Sequence, residues 1–191
     1  MMRSGRLFRD GAAAFALLAI LVLLALKMNN RQELVQTGDF YAIDGDTLSI
    51  NGERLRLKGI DAPEYRQRCR RGGADWACGE EARKALATIV KNGKPECRGQ
   101  ERDRYGRLLV TCVVGDSDVN AAMVRSGMAL SYGGYAAEER TARQAKAGVW
   151  AGDFERPGDY RREERMQQPV ANDPMAGVID YIRQLVGWNA Q

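Results

Sequence analysis

The 191-residue chain contains no histidine. That absence removes the commonest general base, the commonest metal ligand and every Ser-His or Cys-His nucleophile pair. Any catalysis must then rest on carboxylates, arginines, lysines, tyrosines or a metal held by oxygen. Cysteine is scarce: Cys69, Cys78, Cys97 and Cys112 are the four present, and none lies in a CxxC, which argues against a zinc site. Nor does charge of one sign dominate. Lys and Arg number 29 against 25 Asp and Glu, a net +4 that is compatible with a polyanionic partner without requiring one. With 45% hydrophobic and 28% charged residues, the composition is that of a globular protein with room for one domain and a modest core.

The exception is the N-terminus. "GAAAFALLAILVLLAL", Gly11 to Leu26, is uncharged and apolar, and it follows Arg3, Arg6 and Arg9, the pattern of an export signal. Residues 1–30 are therefore expected to be a signal or transmembrane segment. The lack of a small-x-small cleavage site before Lys27 favours an uncleaved anchor over a removed signal peptide. The rest of the chain is expected outside the cytoplasm, periplasmic or extracellular, anchored to the membrane or secreted if the segment is cut. An even cysteine count suits that oxidising setting. A hairpin turning at "DRYG" sets Cys97 opposite Cys112, which leaves Cys69 to pair with Cys78; the alternative is four buried free thiols.

Strands dominate the first half of the remainder. "FYAI" and "TLSI" lead to Asn51-Gly52, a strong two-residue hairpin signal, and then to "ERLRLKGI", which alternates with period two. "GEEARKALATIVKNG" has acids in its first turn, apolar residues at helical spacing and Gly93 as a stop. Strands "ECRG" and "RLLVTCVV" follow, then a short capped helix at "DVNAAMVRSG", a return strand at "MALSY" and a helix over "AAEERTARQAKAGVW". Meandering strands without regular helical crossovers point to a small closed barrel rather than a doubly wound sheet. Residues 36–156 form the expected domain. Residues 157–191 read as a polar, proline-bearing linker and a C-terminal amphipathic helix over 176–188.

The hairpin also carries the charges. A two-residue turn at Asn51-Gly52 puts Asp46 opposite Leu57, Leu48 opposite Leu55 and Ile50 opposite Glu53, so Asp46 ends an apolar row and is partly desolvated. Asp61 emerges at the far end of the partner strand, and Pro63 stiffens the turn bearing Glu64. Carboxylates converging at a barrel mouth without His or Cys make an oxygen site suited to calcium or magnesium. The alternative is that Asp44 and Asp46 are turn residues and Asp61 and Glu64 solvated loop charges. This register does not by itself aim Arg56 at the site; a bulge would be needed.

"DGDTL", "LRLKGIDAPE", "CGEEA", "DRYGR", "MVRSGMAL" and "AKAGVW", in this order and spacing, resemble the staphylococcal nuclease (thermonuclease) family over roughly residues 38–155. The resemblance implies an α+β, mainly β fold: a five-stranded OB-type barrel with three helices. It implies calcium-dependent hydrolysis of DNA and RNA phosphodiesters by a monomer. By motif, Asp46, Asp61 and the main-chain carbonyl of Ala62 correspond to calcium ligands, with Asp44 close behind. Glu64 corresponds to the general base, and Arg56 and Arg107 to a phosphate clamp. Arg104 and Tyr105 are candidates for phosphate and base contacts, and Tyr132 and Tyr135 for base stacking. Ala62 stands where the best-known members carry Thr, which a main-chain ligand tolerates. Removing Asp46 is expected to stabilise the metal-free protein by relieving carboxylate repulsion. The rival to an enzyme is a catalytically inactive OB module that binds nucleic acid or protein; a pure binder has no reason to retain the complete set of Asp46, Asp61, Glu64, Arg56 and Arg107.

Overall fold

The computed structural model describes residues 4–29 and 33–167. The first element, α1 (Ser4–Asn29), leaves the apolar side chains described within 11–24 exposed, Phe15 and Leu17 among them. The membrane-spanning segment expected there is not found: among the described residues no helix is long and apolar enough to cross a membrane. The C-terminal amphipathic helix expected at 176–188 lies outside the described residues.

The central hairpin joins β3 (Thr47–Ile50) to β4 (Glu53–Leu57). Asn51 and Gly52 both take positive φ, 49° and 82°, as a two-residue turn matched to the twist of the strands requires. Leu48 stands opposite Leu55 and Ile50 opposite Glu53, and the Leu57 N–H donates to the Asp46 carbonyl at 2.8 Å, which is the register expected from the sequence. The second hairpin, β8 (Pro95–Arg102) and β9 (Leu108–Val114), places Cys97 opposite Cys112 and the two are bonded. Cys69 is bonded to Cys78, so both expected disulfides are present. β9 runs parallel to β4. Buried Asn120 locks that junction: its Oδ1 accepts from the Cys112 N–H, and its Nδ2 donates to the carbonyls of Lys58 and Val110.

Around these hairpins lie β1 (Leu34–Thr37), β2 (Tyr41–Ala42) and β10 (Ser117–Asp118). The order β1-β8-β9-β4-β3-β2, with β10 beside β9, makes a seven-stranded sheet. The expected closed five-stranded barrel is thus replaced by a curled, OB-like half-barrel. Its two edge strands do not pair with each other, since β2 is only two residues long and bonds β3 alone. Beside this sheet lie two small ladders: β5 (Ile60–Asp61) with β11 (Leu130–Ser131), and β6 (Cys69–Arg71) with β7 (Ala74–Trp76) inside the first disulfide loop.

The helices α2 (Cys78–Lys91), α3 (Val119–Arg125) and α4 (Ala136–Gln144) are the three expected from the sequence. In α2, Ala82, Leu86 and Val90 recur at helical spacing and are buried against the sheet, with Glu80 and Glu81 at the N-terminal end. Asp118 caps α3, accepting from the Ala121 N–H at 2.9 Å. α4 is shorter than its sequence suggested, because Lys146 takes positive φ and the chain turns into a 3₁₀ segment at Gly148–Ala151. A fifth helix, α5 (Pro157–Gln167), forms where the composition reads as a linker. Pro157 at its first position already has helical φ and no N–H to satisfy, and Arg162 pairs with Asp159 one turn back.

Candidate active site

Four pieces of chain converge. The first is the turn before β3. Asp44 Oδ1 accepts from the Asp46 N–H at 3.0 Å, and Gly45 is so close to Ala62 and Ala82 that a Cβ there would lie 2.7 Å from either. This tight fit drives Asp46 inward, where it is 3% exposed. Its Oδ1 accepts from Arg56 Nη1 at 2.5 Å and from the Thr47 hydroxyl at 3.1 Å, and its Oδ2 accepts from the Ala62 N–H at 2.9 Å. Burial pushes the Asp46 carboxyl up to about 7; Arg56 and the Ala62 N–H oppose the rise, while Asp44 and Asp61 add to it.

The second piece is β4 and the loop after it. Arg56 donates to Asp46 and, through Nη2, to Asp61 Oδ1 at 2.8 Å. The bulge expected from the register is absent: β3 and β4 pair without a shift, and the arginine is long enough to reach both carboxylates from its regular position. Asp61 is fixed by β5, opposite Leu130. Glu64 sits on a loop that buried Gln67 organises, accepting from the Glu64 N–H at 3.1 Å and donating to the Glu155 carbonyl at 2.7 Å. Behind it, α2 comes so close that a Cβ on Gly79 would lie 1.7 Å from the Glu64 carbonyl oxygen, so only glycine fits.

The third piece is the turn of the β8–β9 hairpin. Asp103 accepts from Arg107 Nε at 2.8 Å and from the backbone N–H groups of Tyr105 and Arg107. Burial would raise the Asp103 carboxyl, but the bonds from Arg107 outweigh it and hold it below its usual range. Arg107 is thereby turned so that Nη1 lies 3.4 Å from the Thr47 hydroxyl, which itself donates to Asp46. Tyr105, 65% exposed, carries Arg104 and Arg107 over its ring at 4.8 and 5.5 Å.

The fourth piece is the one that sequence reasoning missed. Arg161, on α5, donates from Nη1 to Asp61 Oδ1 (3.1 Å) and Glu64 Oε1 (2.6 Å), and from Nη2 to Asp61 Oδ2 (3.0 Å). Burial alone would lower its pKa, but the bonds to Asp61 and Glu64 outweigh it and raise it. No local motif marks this residue; its partners lie about a hundred positions away.

Two hollows flank this centre. One, of about 660 Å³, is lined by Arg56, Glu64, Arg104, Tyr105, Arg107 and Arg161, among others. The other, of about 680 Å³, shares Arg56 and Arg161 and adds Asp61, Tyr132 and Tyr135. Tyr132 is 79% exposed and available to a ligand. Tyr135 is engaged with the protein, its ring packed on Gly59 and the core and its hydroxyl donating to Asp118 at 3.3 Å; burial first, then Asp118, pushes it up to about 12. The donors Asp44, Asp46, Asp61 and the Ala62 carbonyl are all oxygens, a chemistry that fits a hard dication. Among the described residues, however, no three acidic side chains already converge on one point, and Asp61 gives both its oxygens to arginines.

The model of the family described as staphylococcal nuclease homologue matches residues 54–152, a segment that includes Arg56, Asp61, Glu64 and Arg107 but not Arg161. The succinoglycan biosynthesis protein ExoI of Rhizobium meliloti (strain 1021) is 41% identical over 121 residues, 59% of this chain and 63% of its own length. Protein ParB of Escherichia coli is 36% identical over 173 residues, 79% of this chain and 90% of its own. An uncharacterized endonuclease of Escherichia coli O157:H7 is 33% identical over 120 residues, 57% of this chain and 72% of its own. The chain therefore spans just under two thirds of the first of these relatives and most of the other two. With a family match over more than half its length, on a segment that supplies Arg56, Asp61, Glu64 and Arg107 to this centre, the chain belongs to the staphylococcal nuclease homologue family.

Proposed function

We propose that the chain is a calcium-dependent nuclease that hydrolyses phosphodiester bonds of DNA or RNA outside the cytoplasm. The observation that carries this reading is the meeting of Glu64, Arg56 and Arg107 on one cleft, with Asp46 and Asp61 bonded to Arg56 beneath it. The E. coli relative named an endonuclease supports the same reaction class. Location outside the cytoplasm is supported by the two disulfides and by the basic head that precedes the apolar stretch of α1.

In this reading Glu64 accepts the proton of the attacking water as the water oxygen bonds to phosphorus. The ester bond to the leaving sugar oxygen then breaks, and that oxygen takes a proton from solvent. Negative charge grows on the phosphoryl oxygens meanwhile, and Arg56 and Arg107 hold it by charge-assisted hydrogen bonds in directions already set by Asp46, Asp61 and Asp103. A calcium ion held by Asp46, Asp61 and the Ala62 carbonyl, with Asp44 close by, would supply further positive charge to the phosphoryl group. Histidine is not needed at any step.

The test is to incubate the full chain with single-stranded DNA and with RNA, in calcium or in chelator. Calcium-dependent fragments are expected. Glu64→Gln and Arg107→Ala should each lower turnover by about 10²-fold or more, the scale at which positioned bases and preorganised charges contribute. Intact substrate that is nevertheless bound would refute the nuclease and identify a binding module.

A further inference from the structure

Helix α5 lies beyond the segment matched by the family model, yet it docks on the candidate site through Arg161. Its approach is fixed by the Gln67 bond to the Glu155 carbonyl, by buried Pro157 and by the three hydrogen bonds of Arg161. One turn further on, Arg165 donates back to the Arg161 carbonyl at 3.1 Å and lines the same cleft. That cleft is walled by Arg54, Arg56, Arg104, Arg107, Arg161 and Arg165, against the acidic side chains of Asp44, Glu64 and Asp103. Two of the three acids are already taken, Glu64 by Arg161 and Asp103 by Arg107. Arg54, Arg104 and Arg165 are exposed and pair with no acidic side chain among the described residues.

Three guanidinium groups without an acidic partner among the described residues thus line one cleft, where Asp44 is the one acid not already taken by an arginine. They suit a partner with several negative charges along its length, and exposed Tyr105 beside Arg104 offers a face on which a base can stack. We propose that α5 is a third wall of the substrate cleft, and that Arg165 contacts a phosphate of single-stranded nucleic acid outside the scissile one. This deepens the nuclease reading and rests on it. Arg161 serves as the positioning residue, because its bonds to Asp61 and Glu64 set where along the acid centre the helix, and therefore Arg165, comes to lie.

The test measures binding of a fluorescently labelled single-stranded DNA oligonucleotide to the full chain in chelator, by anisotropy across a salt series. Arg165→Ala should weaken binding about threefold to tenfold at low salt, and lower the slope of log affinity against log salt by about 0.7, the value of one phosphate on a single strand. Arg140→Ala, which removes an exposed arginine of α4 outside the cleft, controls for the change in net charge and should leave both quantities within twofold of the parent. Thermal unfolding of each variant checks that the fold is intact. Equal behaviour of Arg165→Ala and Arg140→Ala, or no binding by the parent chain, overturns the proposal. The nuclease reading fails separately, if the parent chain in calcium leaves DNA and RNA uncut.

Discussion

Replacing Arg161 by alanine removes three hydrogen bonds at once, two to Asp61 and one to Glu64. A bond between charged groups contributes about 1.5–3 kcal/mol when well sheltered and about 0–1 kcal/mol at the surface. The side chains concerned are 36%, 18% and 31% exposed for Arg161, Asp61 and Glu64, so each bond falls near the lower range. Asp61 also keeps its bond to Arg56. The net loss is then about 2 kcal/mol, which in a domain of this size lowers the midpoint of thermal unfolding by about 6 °C in chelator. Saturating calcium should shrink the difference toward zero. In the parent chain an ion that uses Asp61 must first displace Arg161; in the variant that step is gone, and the calcium dissociation constant read by calorimetry should fall by up to about 30-fold, the equivalent of 2 kcal/mol. Thermal unfolding and titration calorimetry, each with and without calcium, read the two effects independently of turnover. An unfolding midpoint within 1 °C of the parent, together with an unchanged calcium affinity, would refute the reasoning that Arg161 stands in for a cation at the acid centre.

Asp46→Ala should destabilise the metal-free protein by about 3 kcal/mol in urea unfolding, because it leaves sheltered Arg56 with one carboxylate and the Ala62 N–H with none. This reverses the expectation from carboxylate repulsion alone, and a more stable variant would restore that expectation. For the location, protease added to spheroplasts should digest the folded domain, and the native domain should titrate no free thiols; full protection, or four reactive thiols, would contradict export. Reduction should cost most at Cys97–Cys112, whose separation of 15 residues corresponds to about 3 kcal/mol of loop-closure entropy.

What was legible in the sequence was local. Asn51-Gly52 names its own turn, and once that turn is set the period-two alternation leaves a single register, so the placement of Asp46 opposite Leu57 follows without any knowledge of the rest of the chain. The count from the DRYG turn also reached the Cys97–Cys112 pair, but the turn itself pairs Arg102 with Leu108, and only a bulge between Gly99 and Glu101, which no local signal announces, brings Cys97 opposite Cys112. The closure of the sheet was not legible, because it depends on whether β1 and β2 meet, and two short edge strands carry no periodicity that decides it. Arg56 was misjudged from backbone register alone: a side chain of that length reaches neighbours that its Cβ direction does not suggest.

Arg161 marks the sharper limit. Its stretch, "PGDYRREERMQ", is rich in charge and opens with proline, which in composition is indistinguishable from a solvated linker. What makes it a helix docked on the centre is a set of contacts to Gln67, Asp61 and Glu64, none of them closer than 88 positions in the chain. The reason such a contact forms is nonetheless physical and general. Asp61 and Glu64 lie close enough, at partly sheltered positions, to share one guanidinium, and a basic side chain that can reach both gains from doing so. Arg56 satisfies Asp46 and part of Asp61, which leaves Glu64 and the second oxygen of Asp61 unmet within the family segment. The matched segment meets these carboxylates only in part, and in this chain α5 delivers the remaining cation through Arg161.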